Sequence, residues 1–341
     1  MTDESELAAT VAKIVEAGKG ILAADESLPT ISKRFKTVGI ESTEETRRAY
    51  RSLLFTAPGA DACLSGVILF EETLGQKAED GTPLPQVLAR RGILPGIKVD
   101  KGTTGLPGAP GDLITQGLDG LADRLKAYKE QGARFTKWRE VYGITDANPT
   151  PLGIAANAEV LARYAGICQE AGLVPIVEPE VLIDGDHTLE RCFEVSEAVL
   201  HAVFDALHRH RVITECMILK PSMVLPGKAH ATKASPDEVA AATLKVLRRT
   251  VPASVPTINF LSGGQGPEEA TANLNAINAR DPRAPWVLSF SFARALQDPV
   301  MHGWAGNAKN VASAQQAFQH RLKMNSLARQ GKWAPAMESA R

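Results

Sequence analysis

A single lysine interrupts an apolar run at residues 216–224 of the chain. Lys220 is flanked by residues such as Met217, Leu219 and Met223, which offer its ammonium group no hydration. Loss of hydration disfavours the charged form, so we expect the pKa of Lys220 to fall and its amine to become a nucleophile for carbonyl groups. The alternative is a lysine at a strand end whose aliphatic stem lets the ammonium reach solvent.

Other charged residues follow short apolar runs elsewhere in the chain, several of them in pairs at alternate positions. They are Asp25, Lys98 with Asp100, Lys137 with Arg139, and Glu178 with Glu180. Alternate residues of a strand point to the same side. Lysines and acids that converge at one place offset each other's cost of desolvation, so their joint placement predicts an active site rather than scattered surface charges.

Eight short apolar runs predict the strands that position these groups, at 21–25, 66–70, 96–100, 134–139, 174–180, 217–222, 257–262 and 286–291. Segments with helical spacing lie between them, at 43–55, 118–131, 157–170, 189–208, 236–249 and 267–277. Strands that alternate with helices favour a parallel sheet closed into an α/β barrel, the TIM (β/α) barrel. An open, doubly wound sheet is the second interpretation.

The alternation of strands and helices continues without a domain boundary, which predicts one domain over residues 1–341. We expect an additional N-terminal helix over 1–17, a C-terminal helical segment and a short tail from about 330 to 341. The Pro/Gly-rich stretches 102–111 and 148–153 are predicted to be loops of the barrel.

Composition narrows the class of protein further. A net charge of -1 across 341 residues gives no basic excess for nucleic acid or membrane surfaces. The four cysteines form no Cys-x-x-Cys pair, and the acidic N-terminus does not resemble a signal peptide, so we expect a cytoplasmic protein. The seven histidines form no His-Glu-x-x-His motif, and no metal site is predicted.

Two anion sites are predicted on either side of Lys220. Ser262, Gly263 and Gly264 follow the seventh strand, where bare backbone N–H groups can surround an anion, and Ser291 and Arg294 follow the eighth. Loops after these two strands form the usual phosphate site of such barrels. The second site would be formed by Ser27, Lys33, Arg34 and Lys98. A reactive lysine between them indicates a bisphosphorylated carbonyl compound.

Five motifs together carry a family resemblance. They are GKGILAADES from residue 18, GIKVDKG from 96, VEPE from 177, LKPSM from 219 and FLSGGQ from 260. With them the chain resembles the class I, Schiff-base fructose-1,6-bisphosphate aldolases from about residue 7 to 333.

The resemblance implies reversible cleavage of fructose 1,6-bisphosphate to dihydroxyacetone phosphate and glyceraldehyde 3-phosphate, without a metal or another cofactor. Lys220 would form the iminium, Glu178 would act as the acid/base of carbinolamine formation, and Asp25 would handle the proton of the C4 hydroxyl. Lys137 and Glu180 match their electrostatic partners, and the charge of Lys137 should lower the pKa of Lys220 further.

The resemblance also implies roles in substrate binding. The residues that match the C1-phosphate site are Ser262, Gly263, Gly264, Ser291 and Arg294. Those that match the C6-phosphate end are Ser27, Lys33, Arg34 and Lys98, and Arg47 and Arg139 match positions near the site. Relatives are usually cytosolic homotetramers of glycolysis and gluconeogenesis.

Three departures from the family pattern lead us to expect altered rates or substrate preference. Thr30 stands where a phosphate-site serine is common, and Ala293 stands where many relatives have glycine. Animal and plant relatives end in a tyrosine that aids proton exchange, whereas the last tyrosine here is Tyr164. Another Schiff-base aldolase, for example for fructose 1-phosphate, and a non-catalytic scaffold on the same fold are the alternative functions.

Overall fold

Eight parallel strands close into a barrel in the computed structural model, which describes residues 4–339. The barrel strands are β1 (Gly20–Ala24), β2 (Leu64–Leu69), β3 (Leu94–Lys98), β6 (Phe135–Tyr142), β7 (Val174–Val181), β8 (Ile218–Leu219), β9 (Thr257–Phe260) and β10 (Val287–Phe292). The first strand pairs with the last, because Ile21 lies opposite Ser291. This closure confirms the TIM barrel and excludes the open sheet.

Helices surround the barrel. They are α1 (Glu4–Ile14), α2 (Leu28–Thr37), α3 (Glu44–Phe55), α4 (Ala60–Cys63), α5 (Glu71–Gly75), α6 (Leu84–Arg90), α7 (Leu121–Glu130), α8 (Pro151–Glu170), α9 (Leu189–Arg209), α10 (Pro236–Thr250), α11 (Pro267–Arg280), α12 (Arg294–Trp304) and α13 (Val311–Ala328). All six predicted helices between strands are present. Side chains cap several of them, for example Ser235, which accepts the backbone N–H of Glu238 at α10.

The predicted N-terminal helix is α1, and residues 1–3 of that prediction lie outside the described residues. Leu7, Val11 and Ile14 recur on one face of α1 and are buried against the lower barrel interior, which includes Ile21 and Phe135. In the C-terminal segment, α13 is followed by a short 3-10 helix at Pro335–Glu338, and residues 340 and 341 are not described. No helix among residues 4–339 is long and apolar enough to cross a membrane.

Several barrel strands change from apolar to charged along their inward-facing side. In β1, the alternate residues Ile21 and Ala23 belong to the interior cluster, and Asp25 follows them. The same alternation leads from Phe135 to Lys137 in β6 and from Ile176 to Glu178 in β7. The fold therefore brings the charged groups together at the carboxyl ends of the strands, above the apolar interior of the barrel.

Some features of the fold differ from the sequence prediction. The run 102–111, predicted to be a loop, contributes to a hairpin of β4 (Thr103–Gly105) and β5 (Leu113–Thr115). Between the two strands, Gly108 and Gly111 have positive φ angles of 82° and 91°, which let the chain reverse direction despite the loop-like composition. The fourth predicted strand was expected to stop at Arg139, but β6 continues to Tyr142 because it pairs along its whole length with β7.

Candidate active site

A cavity of about 650 Å³ opens at the carboxyl ends of the barrel strands. Its lining contains most of the residues that the sequence predicted to form a site. These are Asp25, Ser27, Lys33, Arg34, Lys98, Lys137, Arg139, Glu178, Glu180, Lys220, Ser262, Gly263, Ser291 and Arg294. Side chains far apart in the chain therefore face one shared space.

A buried chain of ion pairs lies at the base of the cavity. The ammonium of Lys220 is 3.0 Å from Oε1 of Glu178, and the other carboxylate oxygen of Glu178 is 3.0 Å from Nζ of Lys137. Lys137 is also 2.9 Å from Oδ2 of Asp25. Each of these four residues is at most 8% exposed. Lysines and acids thus alternate, as buried charges must if each is to have a counter-charge.

The pKa values of this cluster follow from the balance between burial and pairing. Burial opposes ionisation of Asp25 and Glu178, but the charges of Lys137 and Lys220 outweigh it and hold both pKa values below their ordinary range. Burial likewise opposes protonation of Lys137, yet Asp25 and Glu178 raise the pKa of Lys137 above its ordinary value. At neutral pH Asp25 and Glu178 are therefore carboxylates that accept protons, and Lys137 is a fixed cation.

Lys220 is placed by the backbone of its neighbours. It directly follows β8, and its N–H donates to the carbonyl oxygen of Val177 in β7 at 2.8 Å. Glu178 is the next residue along β7, so this single strand contact sets Lys220 beside its carboxylate partner. Above this pair, Arg139 forms an ion pair with Glu180 across the mouth of the cavity.

One end of the cavity has the features of a phosphate site. Gly263 and Gly264 have φ angles of 55° and 89°, the left-handed region that favours glycine and turns successive N–H groups to one side. Ser291 is buried, and its hydroxyl has no hydrogen-bond partner among the described residues. Arg294 adds a guanidinium at the N-terminus of α12. Backbone donors, a free hydroxyl and a cation suit a phosphate group.

The opposite end combines a helix N-terminus with cations. Ser27 is the N-cap of α2, and its hydroxyl lies 3.0 Å from that of Thr30. Thr30, which stands where a serine is common in the family, therefore still supplies a hydroxyl. Arg34 projects from α2 toward the cavity while its guanidinium is 2.5 Å from Glu26. Lys98 pairs with Asp100 at the end of β3. The free amide groups and positive dipole of α2 favour an anion here.

Two predicted residues lie outside the cavity lining. Arg47 donates from Nε and one terminal nitrogen to the carboxylate of Glu72, and from the other to the carbonyl oxygen of Ser42. Its proximity to the substrate stays a prediction. Gly264 follows the lining residue Gly263 in the glycine turn, close to Arg294.

Comparison with known proteins agrees with this geometry. The family model described as "Glycolytic: Fructose-bisphosphate aldolase class-I" matches residues 6–341. The chain belongs to the class I fructose-bisphosphate aldolases. This confirms the family resemblance of the sequence motifs.

Similar aldolases come from distant organisms. The cytosolic fructose-bisphosphate aldolase 6 of Arabidopsis thaliana is 57% identical over 326 residues, which cover 96% of this chain and 91% of that protein. The non-muscle aldolase of Lethenteron camtschaticum is 53% identical, covering 98% and 93%. The solved aldolase of Plasmodium falciparum, in a complex with TRAP and a small-molecule inhibitor, superposes with a TM-score of 0.95 at 51% identity, covering 97% and 95% of the two chains.

The aldolase site contains residues that sequence analysis missed. Glu26 is buried between the guanidinium groups of Arg34 and Arg51, and it accepts a third hydrogen bond from Gln297 at 2.8 Å. Its signal was present, because Glu26 is a second acid directly after Asp25 at the end of the first predicted strand. Asp298 also lines the cavity, and burial raises its pKa. It lies on α12, which the sequence did not predict. No cluster that could hold a metal ion occurs among residues 4–339.

Glu140 anchors the hairpin of this aldolase to the outer face of β6. Its carboxylate accepts hydrogen bonds from Trp138 Nε1 at 2.8 Å and from the backbone N–H of Thr115 in β5 at 3.1 Å. Glu140 is fully buried, and no cation pairs with it in the described part of the chain. Burial therefore raises the pKa of Glu140 to about 7.

The raised pKa of Glu140 predicts a pH-dependent cost in stability. The native state keeps a proton that the unfolded chain loses above its ordinary pKa of 4.5, so the free energy of unfolding should fall as the pH rises from there to about 7. Across this pH range the free energy of unfolding should fall by about 3 kcal/mol in total. Glu140→Gln should remove this slope in urea unfolding at about pH 5 and pH 8. Parallel pH profiles of the two proteins would contradict the assignment.

Proposed function

We propose that this aldolase catalyses the reversible cleavage of fructose 1,6-bisphosphate into dihydroxyacetone phosphate and glyceraldehyde 3-phosphate. The observation that carries the proposal is the amine of Lys220, 3.0 Å from the carboxylate of Glu178 and in a cavity between two anion sites. The iminium formed by Lys220 accepts the electrons of the broken bond, so neither a metal nor an organic cofactor is needed. Because the Arabidopsis relative is named cytosolic and the family is described as glycolytic, we place the enzyme in the cytosol and in glycolysis and gluconeogenesis.

The reaction begins when Lys220 attacks the C2 carbonyl and forms a carbinolamine. Glu178 takes one proton from the ammonium of Lys220, so that the neutral amine can attack C2, and a second from the nitrogen after the attack; both protons pass to the former carbonyl oxygen, which leaves as water. The product is an iminium cation joined to Lys220. Glu178 is suited to this exchange because it is buried, ionised and shared between two lysines.

Asp25 then removes the proton of the C4 hydroxyl. The C4–O electrons form the aldehyde, the bond between C3 and C4 breaks, and its electron pair flows into the iminium to give an enamine. Glyceraldehyde 3-phosphate leaves, the enamine gains a proton at C3, and hydrolysis of the iminium releases dihydroxyacetone phosphate. The lowered pKa of Asp25 keeps it ionised for its role as the base.

Lys137 holds the proton acceptors in place. It lies 2.9 Å from Asp25 and 3.0 Å from Glu178, so its charge links the two carboxylates that act in successive steps. We assign Lys137 the role of stabilising negative charge as it shifts between these carboxylates and the substrate oxygens. Glu180 and Arg139 pair above it, where they border the sugar chain.

The two ends of the cavity fix the direction of the substrate. In this proposal the C1 phosphate binds the glycine turn, and the C6 phosphate binds the N-terminus of α2. The residues that contribute at the C1 end are Ser262, Gly263, Gly264, Ser291 and Arg294, and those at the C6 end are Ser27, Lys33, Arg34 and Lys98. Binding at these two phosphate sites places C2 beside Lys220, so that binding energy is used to orient the reacting atoms.

Comparison of two substrates tests this function. Fructose 1-phosphate lacks the group that Lys33, Arg34 and Lys98 would bind, so its kcat/KM should be at least about 100-fold lower than that of the bisphosphate. Activity should survive EDTA. A preference for fructose 1-phosphate would favour an aldolase for monophosphates, loss of activity in EDTA would contradict metal-free chemistry, and no turnover of either sugar would favour a scaffold.

We further propose that residues 1–341 act as one domain and assemble into a homotetramer, as the family resemblance implies. Light scattering of the purified chain at micromolar concentration should give a mass four times that of one chain, which has a mass of 36.4 kDa. A mass equal to one chain would contradict the assembly without affecting the chemistry at Lys220.

A further inference from the structure

A second lysine lies beside the glycine turn at the C1-phosphate end. Lys228 follows Lys220 in the loop after β8. A Cβ atom built on Gly264 would be 2.7 Å from Nζ of Lys228 and 2.9 Å from a terminal nitrogen of Arg294. The two cationic groups therefore face the same point of the turn, and their nitrogens are no farther apart than the sum of those distances, about 5.6 Å.

Backbone hydrogen bonds hold Lys228 at this position. Its N–H donates to the carbonyl oxygen of Ile183 at 2.7 Å, and the flanking N–H groups of Gly227 and Ala229 donate to the loop that follows β7. Gly227 approaches that loop so closely that an added Cβ would be 2.4 Å from the carbonyl oxygen of Gly185. The loop that begins with the reactive lysine is thus fixed to its neighbour, which holds the backbone of Lys228 beside the turn.

The cations around the turn lack close counter-charges: Asp298 interacts electrostatically with Arg294 but forms no ion pair with it. Arg294 forms no ion pair with any residue in the range 4–339, and the one partner of Lys228 in that range is Asp184, 3.7 Å away and 73% exposed. Two cations this close repel each other unless an anion lies near both. A phosphate monoester dianion on the Gly263–Gly264 turn would supply that charge.

We propose that Lys228 is a second cation of the C1-phosphate site and acts together with Arg294 on the phosphate dianion. The inference rests on the proposed function, because it assigns the Gly263–Gly264 turn to the C1 phosphate. Lys228 contributes to substrate binding and takes no part in the chemistry at Lys220. It therefore affects ligands that carry a phosphate at this end and leaves the C6 end unchanged.

The test uses the full-length enzyme with Lys228→Met in the direction of synthesis. The KM for dihydroxyacetone phosphate and the inhibition constant of inorganic phosphate against it should rise about three- to tenfold, the effect of one partly exposed cation on a dianion. The KM for glyceraldehyde 3-phosphate and kcat should stay within about twofold. The increase should shrink at high ionic strength, since salt screens an exposed charge.

Two further variants separate charge from structure. Lys228→Arg should restore the wild-type constants, and Lys126→Met, which removes an exposed lysine from α7, should leave them unchanged. An unchanged KM and inhibition constant in Lys228→Met, or a fall in kcat alone, would overturn the proposal. If the wild-type enzyme cleaves no bisphosphate, the proposed function fails by itself, and calorimetry with inorganic phosphate still shows whether Lys228 binds the anion.

Discussion

Lys137→Met should lower kcat for fructose 1,6-bisphosphate by about 100- to 1,000-fold, the range measured when one group that stabilises developing charge is removed. Lys137 is the cation between Asp25 and Glu178, at 2.9 and 3.0 Å. Without it both proton-transfer groups lose one of the two lysine charges that keep them ionised, and the pKa of Asp25 rises because burial is then opposed less. Steady-state kinetics at neutral pH provides the measurement.

The same substitution should also destabilise the fold by roughly 3 kcal/mol at neutral pH, because it leaves a buried carboxylate without its partner. In the wild type, the lowered pKa values of Asp25 and Glu178 contribute stability above their ordinary values of 3.8 and 4.5, and this contribution is lost as the pH falls through their native pKa values. In Lys137→Met the native-state pKa of Asp25 is higher than in the wild type, so the folded variant takes up this proton at a higher pH. The difference between the two proteins should therefore shrink as the pH falls toward about 4.

Two control variants separate the catalytic effect from the structural one. In the double variant Asp25→Asn, Lys137→Met, both partners are neutral, so stability should largely return while activity does not. Lys101→Met removes an exposed lysine that pairs with Glu71, and both activity and stability should stay near the wild type. Full activity in Lys137→Met would contradict the role of this cation.

The barrel could be predicted because its strands have a simple pattern. A strand buried on both sides must be apolar, and a charged residue at its end interrupts that run. Asp25, Lys137, Glu178 and Lys220 are all recognisable in this way, and the alternation of residues predicted that Lys137 and Arg139 face one cavity. Periodicity and strand order together therefore predicted most of the side chains that line the cavity.

The partners within the site could not be predicted by the same reasoning. That Glu178 lies between Lys220 and Lys137 depends on the register of β6, β7 and β8, which is set by packing around the whole barrel. The hairpin of β4 and β5 was missed because glycine and proline are typical of loops and of tight turns alike. The pairing of Arg47 with Glu72 could not be predicted either, because it is a contact between distant segments that spacing does not reveal.

Lys220→Met should have the largest effect of all, because it removes the nucleophile and the iminium together. Turnover should fall by at least about 10,000-fold, to the limit of detection. The methionine side chain is similar in length and leaves Glu178 paired with Lys137, so the folded state should persist. Circular dichroism and the unfolding midpoint confirm that loss of activity is not loss of structure.

Covalent trapping tests the central claim, that the amine of Lys220 forms a Schiff base. The enzyme is incubated with dihydroxyacetone phosphate, reduced with borohydride and digested with trypsin, and the peptide of residues 212–228, which contains Lys220, is examined by mass spectrometry. We expect one reduced triose phosphate on Lys220 in the wild type, with and without EDTA, and none in Lys220→Met. An adduct on another lysine, or turnover without any adduct, would contradict the mechanism.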